Sequence, residues 1–168
     1  MKPAAPARSL SPDTCLLVRL GDPADEDAQL FLEFLREKRI TVCVTPTALA
    51  ETTHLAETGD WPAREHADNA LSLMAGAGFV LPRLETSAEE ARVERIAAAL
   101  RAKGFLPERE RHDARILAET SLAGVRFLVT TDPHFMTDNQ LLGLSLEALK
   151  LTPVCVVAPG QVVRAFSR

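Results

Sequence analysis

The chain contains no tyrosine, one tryptophan and only three cysteines in 168 residues. No two cysteines form a Cys-x-x-Cys pair and no two histidines flank three residues, so the ligand spacing of a structural zinc site is missing. Cys15, Cys43 and Cys155 each fall in an apolar run, the setting of reduced core thiols in a reducing compartment. No apolar stretch approaches the ~20 residues of a membrane span, which excludes a transmembrane role. Residues 1–12 carry three prolines and no apolar signal-peptide core, so they are expected to be a flexible tail and the protein to be cytoplasmic. An excess of positive charge is also missing: the net charge is −4, which argues against indiscriminate nucleic-acid binding. The stretch from Arg92 to Arg115 is nonetheless net basic, and reads either as a phosphate-steering patch or as a solvated helix face laced with ion pairs. Gly76-Ala77-Gly78 leads into a strand and opens no helix, which removes the dinucleotide-binding loop.

What is present is an ordinary globular composition, 46% hydrophobic and 25% charged, long enough to bury roughly two-thirds of the unfolded surface in one domain over residues 13–168. Strand-like runs at Cys15–Leu20, Ile40–Thr45, Phe79–Leu81, Phe127–Thr130 and Val154–Val157 alternate mostly with helical patterns. The helices are expected at Asp25–Lys38, Pro46–Leu55, Pro62–Ala75, Ser87–Lys103, Arg111–Ala123 with Gly124 just past its end, and Pro159–Phe166, with Ser87 and Glu90 forming a capping box. This alternation predicts an α/β fold of three α/β/α layers with a mainly parallel central sheet. The acidic run Asp25-Glu26-Asp27 matches the positive end of its helix.

Four carboxylates stand at costly places. Glu51 lies four residues before Leu55, and Asp113 one turn before Leu117, so both sit near buried helix faces. Removing an ionised acid from water costs several kcal/mol, so such groups are normally paired, protonated or bound to a cation, and no lysine or arginine is an obvious partner. Asp132 ends an apolar strand, where ligands of parallel α/β sheets bind. Asp13 shares that edge if its strand is central and begins a little before it. Together they read as one metal site assembled from distant segments.

Asp13-Thr14-Cys15, Ala50-Glu51, His112-Asp113-Ala114 and Thr130-Thr131-Asp132-Pro133-His134-Phe135, in that order, resemble the PIN-domain nucleases, and most of all the single-domain VapC-type toxins. The resemblance spans Asp13 to Val157. It implies endonucleolytic cleavage of RNA at a Mg²⁺- or Mn²⁺-dependent site, with Asp13, Glu51, Asp113 and Asp132 as metal-binding acids and Thr130 shaping the site. It also implies a cognate antitoxin protein and a homodimer. Cys15 departs from the family's common asparagine and removes an amide that could bond a neighbouring acid. Oxygen-only ligation suits these cations, which recruit water and phosphate oxygens as further ligands. His134, two residues past Asp132, is a candidate substrate contact or proton-transfer group, or a turn histidine. Asp138 is a reserve acid or a helix cap, and Trp61 either a stacking platform or a domain anchor. Two rival readings remain. One is a noncatalytic PIN-like interaction module with a degenerate metal site; the other is a phosphoacceptor receiver domain, which has no use for Glu51 and Asp113 on helices.

Overall fold

A computed structural model describes residues 8–76, 78–81, 86–107, 109–135 and 138–167. Five strands form one all-parallel sheet: β1 (Ser9–Pro12), β2 (Thr41–Cys43), β3 (Phe79–Val80), β4 (Phe127–Val129) and β5 (Cys155–Val157), in the order β3-β2-β1-β4-β5. Eight helices accompany it among the described residues: α1 (Thr14–Leu20), α2 (Glu26–Glu37), α3 (Pro46–Thr58), α4 (Ala63–Met74), α5 (Ser87–Ala102), α6 (Arg111–Leu122), α7 (Asn139–Ala148) and α8 (Pro159–Phe166). The result is the three-layer α/β/α arrangement, with helices flanking a buried parallel sheet. No described helix is long and apolar enough to cross a membrane.

The strand expected at Cys15–Leu20 is instead helix α1, and the sheet's central strand lies at Ser9–Pro12, inside the segment expected as tail. Residues 1–7 of that expected tail lie outside the described residues. A short apolar run cannot by itself separate a strand from a buried helix turn. Asp13 decides it locally: its backbone is extended and its Oδ1 accepts the Leu16 amide at 2.8 Å, a helix N-cap. Leu16, Leu17 and Leu20 then fall on one buried stripe.

The chain order reverses at β1. Strand β1 pairs with β2 on one side and β4 on the other, Ser11 opposite Leu128 and Pro12 opposite Val129. That is the topological switch point of an open parallel sheet, where a crevice forms outside the carboxyl ends of the strands.

The helix punctuation follows side-chain chemistry. Asp25 caps α2 and pairs with Arg19 at 2.6 Å, so the acidic run starts a helix. Asp138 caps α7 through the Gln140 and Leu141 amides. Thr86, and not Ser87, caps α5 by accepting the Glu89 amide. Gly124 stops α6 with φ +77, a left-handed conformation that favours glycine, while Val125 N–H bonds the Thr120 carbonyl. Helix α7 had no sequence expectation. Its leucines point both ways, Leu142 and Leu146 buried but Leu141 and Leu144 exposed, so it carries little helical periodicity. Asn139 ties its start to β5, exchanging two hydrogen bonds with the Val156 backbone.

Candidate active site

The switch point brings Asp13 and Asp132 together through the backbone. Asp13 N–H bonds the Val129 carbonyl at 3.0 Å, extending the β1–β4 ladder by one residue, and Asp132 follows three positions after Val129. Thr130 links the two acids. Its hydroxyl donates to Asp13 Oδ2 in a short bond and accepts the Asp132 amide at 2.9 Å. Asp132 in turn accepts the His134 amide at 2.8 Å, closing the turn that follows β4.

Helix α3 supplies Glu51. Thr45 caps this helix and Pro46 occupies its first turn, so Glu51 falls one turn further along. One of its carboxylate oxygens accepts the Thr14 hydroxyl at 2.5 Å and the other meets His112 Nδ1 in a short contact. Helix α6 supplies Asp113 in its first turn, beside His112.

Asp13 is 3% exposed, and burial pushes its carboxyl up to about 6. The Thr130 and Leu16 bonds pull the other way, and the charges of Asp132 and Glu51 add to the rise. Asp113 is pushed up to about 7, by burial first and then by Glu110, Asp13, Glu51 and Asp132. Cys15, exposed on α1, has its thiol pushed up to about 11, by burial of the sulfur and then by Asp13, Asp132, Asp113 and Glu51. It is therefore protonated and unreactive at neutral pH. Three separate groups thus feel one negative field. Among the described residues, none of the four acids forms an ion pair with a lysine or arginine.

The chemistry of this donor set fits a hard divalent cation: oxygen ligands, like charges crowded together, and no resident ammonium or guanidinium. As they stand, no three His, Cys, Asp or Glu side chains among the described residues converge closely enough to hold an ion. Gathering of charge is present; ligation geometry is not. Thr14, Thr130 and His112 hold oxygens of Asp13 and Glu51 in the meantime.

Other expected residues lie as follows. His134 is exposed on a short 3₁₀ turn, Pro133–Phe135, and contributes its backbone amide to Asp132. Trp61 is exposed in the α3–α4 connection and donates to Glu65. Part of the basic stretch is neutralised internally, since Arg115 reaches Glu90 and Glu94. A groove of about 980 Å³ runs beside Glu51 and His112, lined also by His54, Arg111 and Arg115. Sequence reasoning gave no role to Thr14 or Glu119. Thr14 carries no signal beyond its place after Asp13, whereas Glu119 is a carboxylate among the inward residues Leu117, Ala118 and Ser121.

No protein-family model and no curated protein matches the chain. Solved structures do. It is similar to VapBC2 from Rickettsia felis, solved bound to a DNA fragment from their promoter, with TM-score 0.57 and 12% identity over 89% of this chain and 98% of that one. It is also similar to VapC20 of Mycobacterium tuberculosis, a sarcin-ricin loop cleaving toxin, with TM-score 0.54 and 17% identity over 75% of this chain and 92% of that one. At such identities the likeness establishes the fold.

Proposed function

We propose that this chain is a VapC-type PIN-domain nuclease: an endoribonuclease that uses Mg²⁺ or Mn²⁺ held by Asp13, Glu51, Asp113 and Asp132, and the toxin of a toxin–antitoxin pair. One observation carries the reading. Four acids from four separate segments gather at the switch point, where burial first and neighbouring carboxylates second push Asp13 to about 6 and Asp113 to about 7, with no described lysine or arginine to relieve them. Outside a functional site such crowding is costly. The fold shared with a toxin that cleaves the sarcin-ricin loop supports the same reaction class.

A divalent cation, when bound, supplies Lewis-acid stabilisation of charge on phosphate oxygens and lowers the pKa of an attacking water. The residues do the rest. Thr130 keeps Asp13 and Asp132 in register, and its hydroxyl biases Asp13 toward the ionised form that a cation requires. Near neutral pH Asp113 is partly protonated, so loading the site releases a proton there. His134, exposed beside Asp132, contacts substrate in this scheme. The partners are RNA, an antitoxin protein, for which the VapBC2 complex is the support, and a second copy of the chain. The cytoplasm is the proposed location.

A noncatalytic interaction module is favoured by one feature, the engagement of Glu51 by Thr14 and His112. Cleavage separates the two. A broad RNA pool incubated with wild type and Mn²⁺ is expected to be cut, and neither Asp113→Asn nor EDTA-treated wild type should cut it. Equal outcomes for wild type and Asp113→Asn contradict the assignment.

A further inference from the structure

A second buried carboxylate lies outside the four acids. Glu119 on α6 is 3% exposed, and both of its oxygens go to one residue of another helix: Thr47 N–H at 3.0 Å and the Thr47 hydroxyl at 2.7 Å. Thr47 is in the first turn of α3, where backbone amides have no acceptor inside the helix and a negative charge is favoured by the helix dipole. Arg115 completes the cluster. Its Nε donates to the same Thr47 hydroxyl at 3.1 Å, one terminal nitrogen stands 3.7 Å from Glu119, and both reach across to Glu90 and Glu94 on α5. Burial raises the Glu119 carboxyl while the Thr47 bonds, Arg115 and the hydroxyl of Thr45, which caps α3, lower it, so desolvation is offset by specific partners.

The arrangement constrains more than stability requires. Two bonds from one carboxylate to one residue fix the rotation of α3 about its axis as well as its distance from α6. Thr47 stands one turn before Glu51, and Glu119 lies on the helix that opens with His112 and Asp113. A rotation of α3 would carry Glu51 away from His112, its contact on α6.

We infer that Glu119, with Thr47 and Arg115, is a positioning clamp that sets α3 against α6 and so holds Glu51 opposite Asp113. Its consequence for metal binding rests on the proposed function, whereas its geometry does not. Glu119 is a positioning residue, acting through Glu51.

The test reads position directly, in metal-free protein, as the nuclear Overhauser contact between the His112 ring and Glu51 side-chain protons. Wild type and Thr47→Ser, which keeps the hydroxyl, are expected to show it. Glu119→Ala and Thr47→Val are expected to lose it while remaining folded, and to bind Mn²⁺ at least tenfold more weakly. If Glu119→Ala does not fold, the near-isosteric Thr47→Val decides. Retention of the contact in a folded Glu119→Ala or Thr47→Val protein overturns the clamp. Failure of wild type to bind millimolar Mn²⁺ would sink the proposed function instead, and the metal-free contact would still decide the clamp.

Discussion

Asp113→Asn should make the metal-free protein more stable at pH 8, although it deletes a site residue. The native carboxyl is pushed from 3.8 to about 7, so between those values the folded state binds a proton that the unfolded state has released. Stability contributed by the protonated acid is complete below about pH 4 and is lost as pH rises through 7, because the unfolded chain then binds fewer protons than the folded one. Fully expressed, the rise corresponds to roughly 4 kcal/mol at 1.36 kcal/mol per pH unit. Partial solvent screening of the half-buried carboxyl reduces this to about 1–2 kcal/mol. For a domain of this size that is about 2–8 °C in Tm. Melting curves in EDTA at pH 5 and pH 8 measure it. The variant should gain over wild type at pH 8 and keep about 40% of that gain at pH 5, where the unfolded carboxyl is already ionised and the folded one is not. A variant less stable than wild type at pH 8, or an advantage independent of pH, would refute the electrostatic account of the site.

Three further outcomes follow from the same geometry. Thr130→Val removes the hydroxyl that bonds Asp13 and Asp132, so the Asp13 carboxyl should rise above about 6 and Mn²⁺ affinity at pH 7 should fall by about 1.5–3 kcal/mol, the worth of a bond to a charged group, read by calorimetry. Wild-type Mn²⁺ affinity should rise from pH 6 to pH 8 with proton release, as Asp13 and Asp113 must both ionise; a flat profile in buffers of differing ionisation enthalpy would contradict this. Leu117→Ala, at a fully buried position of α6, should cost about 2–5 kcal/mol in urea unfolding, with loss of Mn²⁺ binding only where the fold is lost.

The sheet's parallel character and most helices were legible because hydrophobic period and punctuation agree there, as at Arg111–Leu122 with Gly124 past its end. The central strand was hidden for a local reason. Ser9-Leu10-Ser11-Pro12 is short, polar and proline-bearing, yet fully buried, because its place in mid-sheet is set by β2 and β4 and not by its own propensity. Asp13 reaches the Asp132 edge from the carboxyl end of that hidden strand, Ser9–Pro12, and not from a strand running on through Cys15–Leu20, which is helix. Glu51 and Asp113 were visible as acids on apolar helix faces. The clamp was not, because Thr47 and Glu119 meet across 72 residues and nothing local marks the pairing.

The central claim, that these acids form one divalent-cation site, is tested most directly by titrating Mn²⁺ into wild type and Asp113→Asn and following Tm, since a ligand bound only by the folded state must raise stability. The account predicts a concentration-dependent rise in wild type, large enough to reverse the metal-free ranking of the two proteins, and little rise in Asp113→Asn. Equal shifts in both, or none in either at millimolar Mn²⁺, would contradict it.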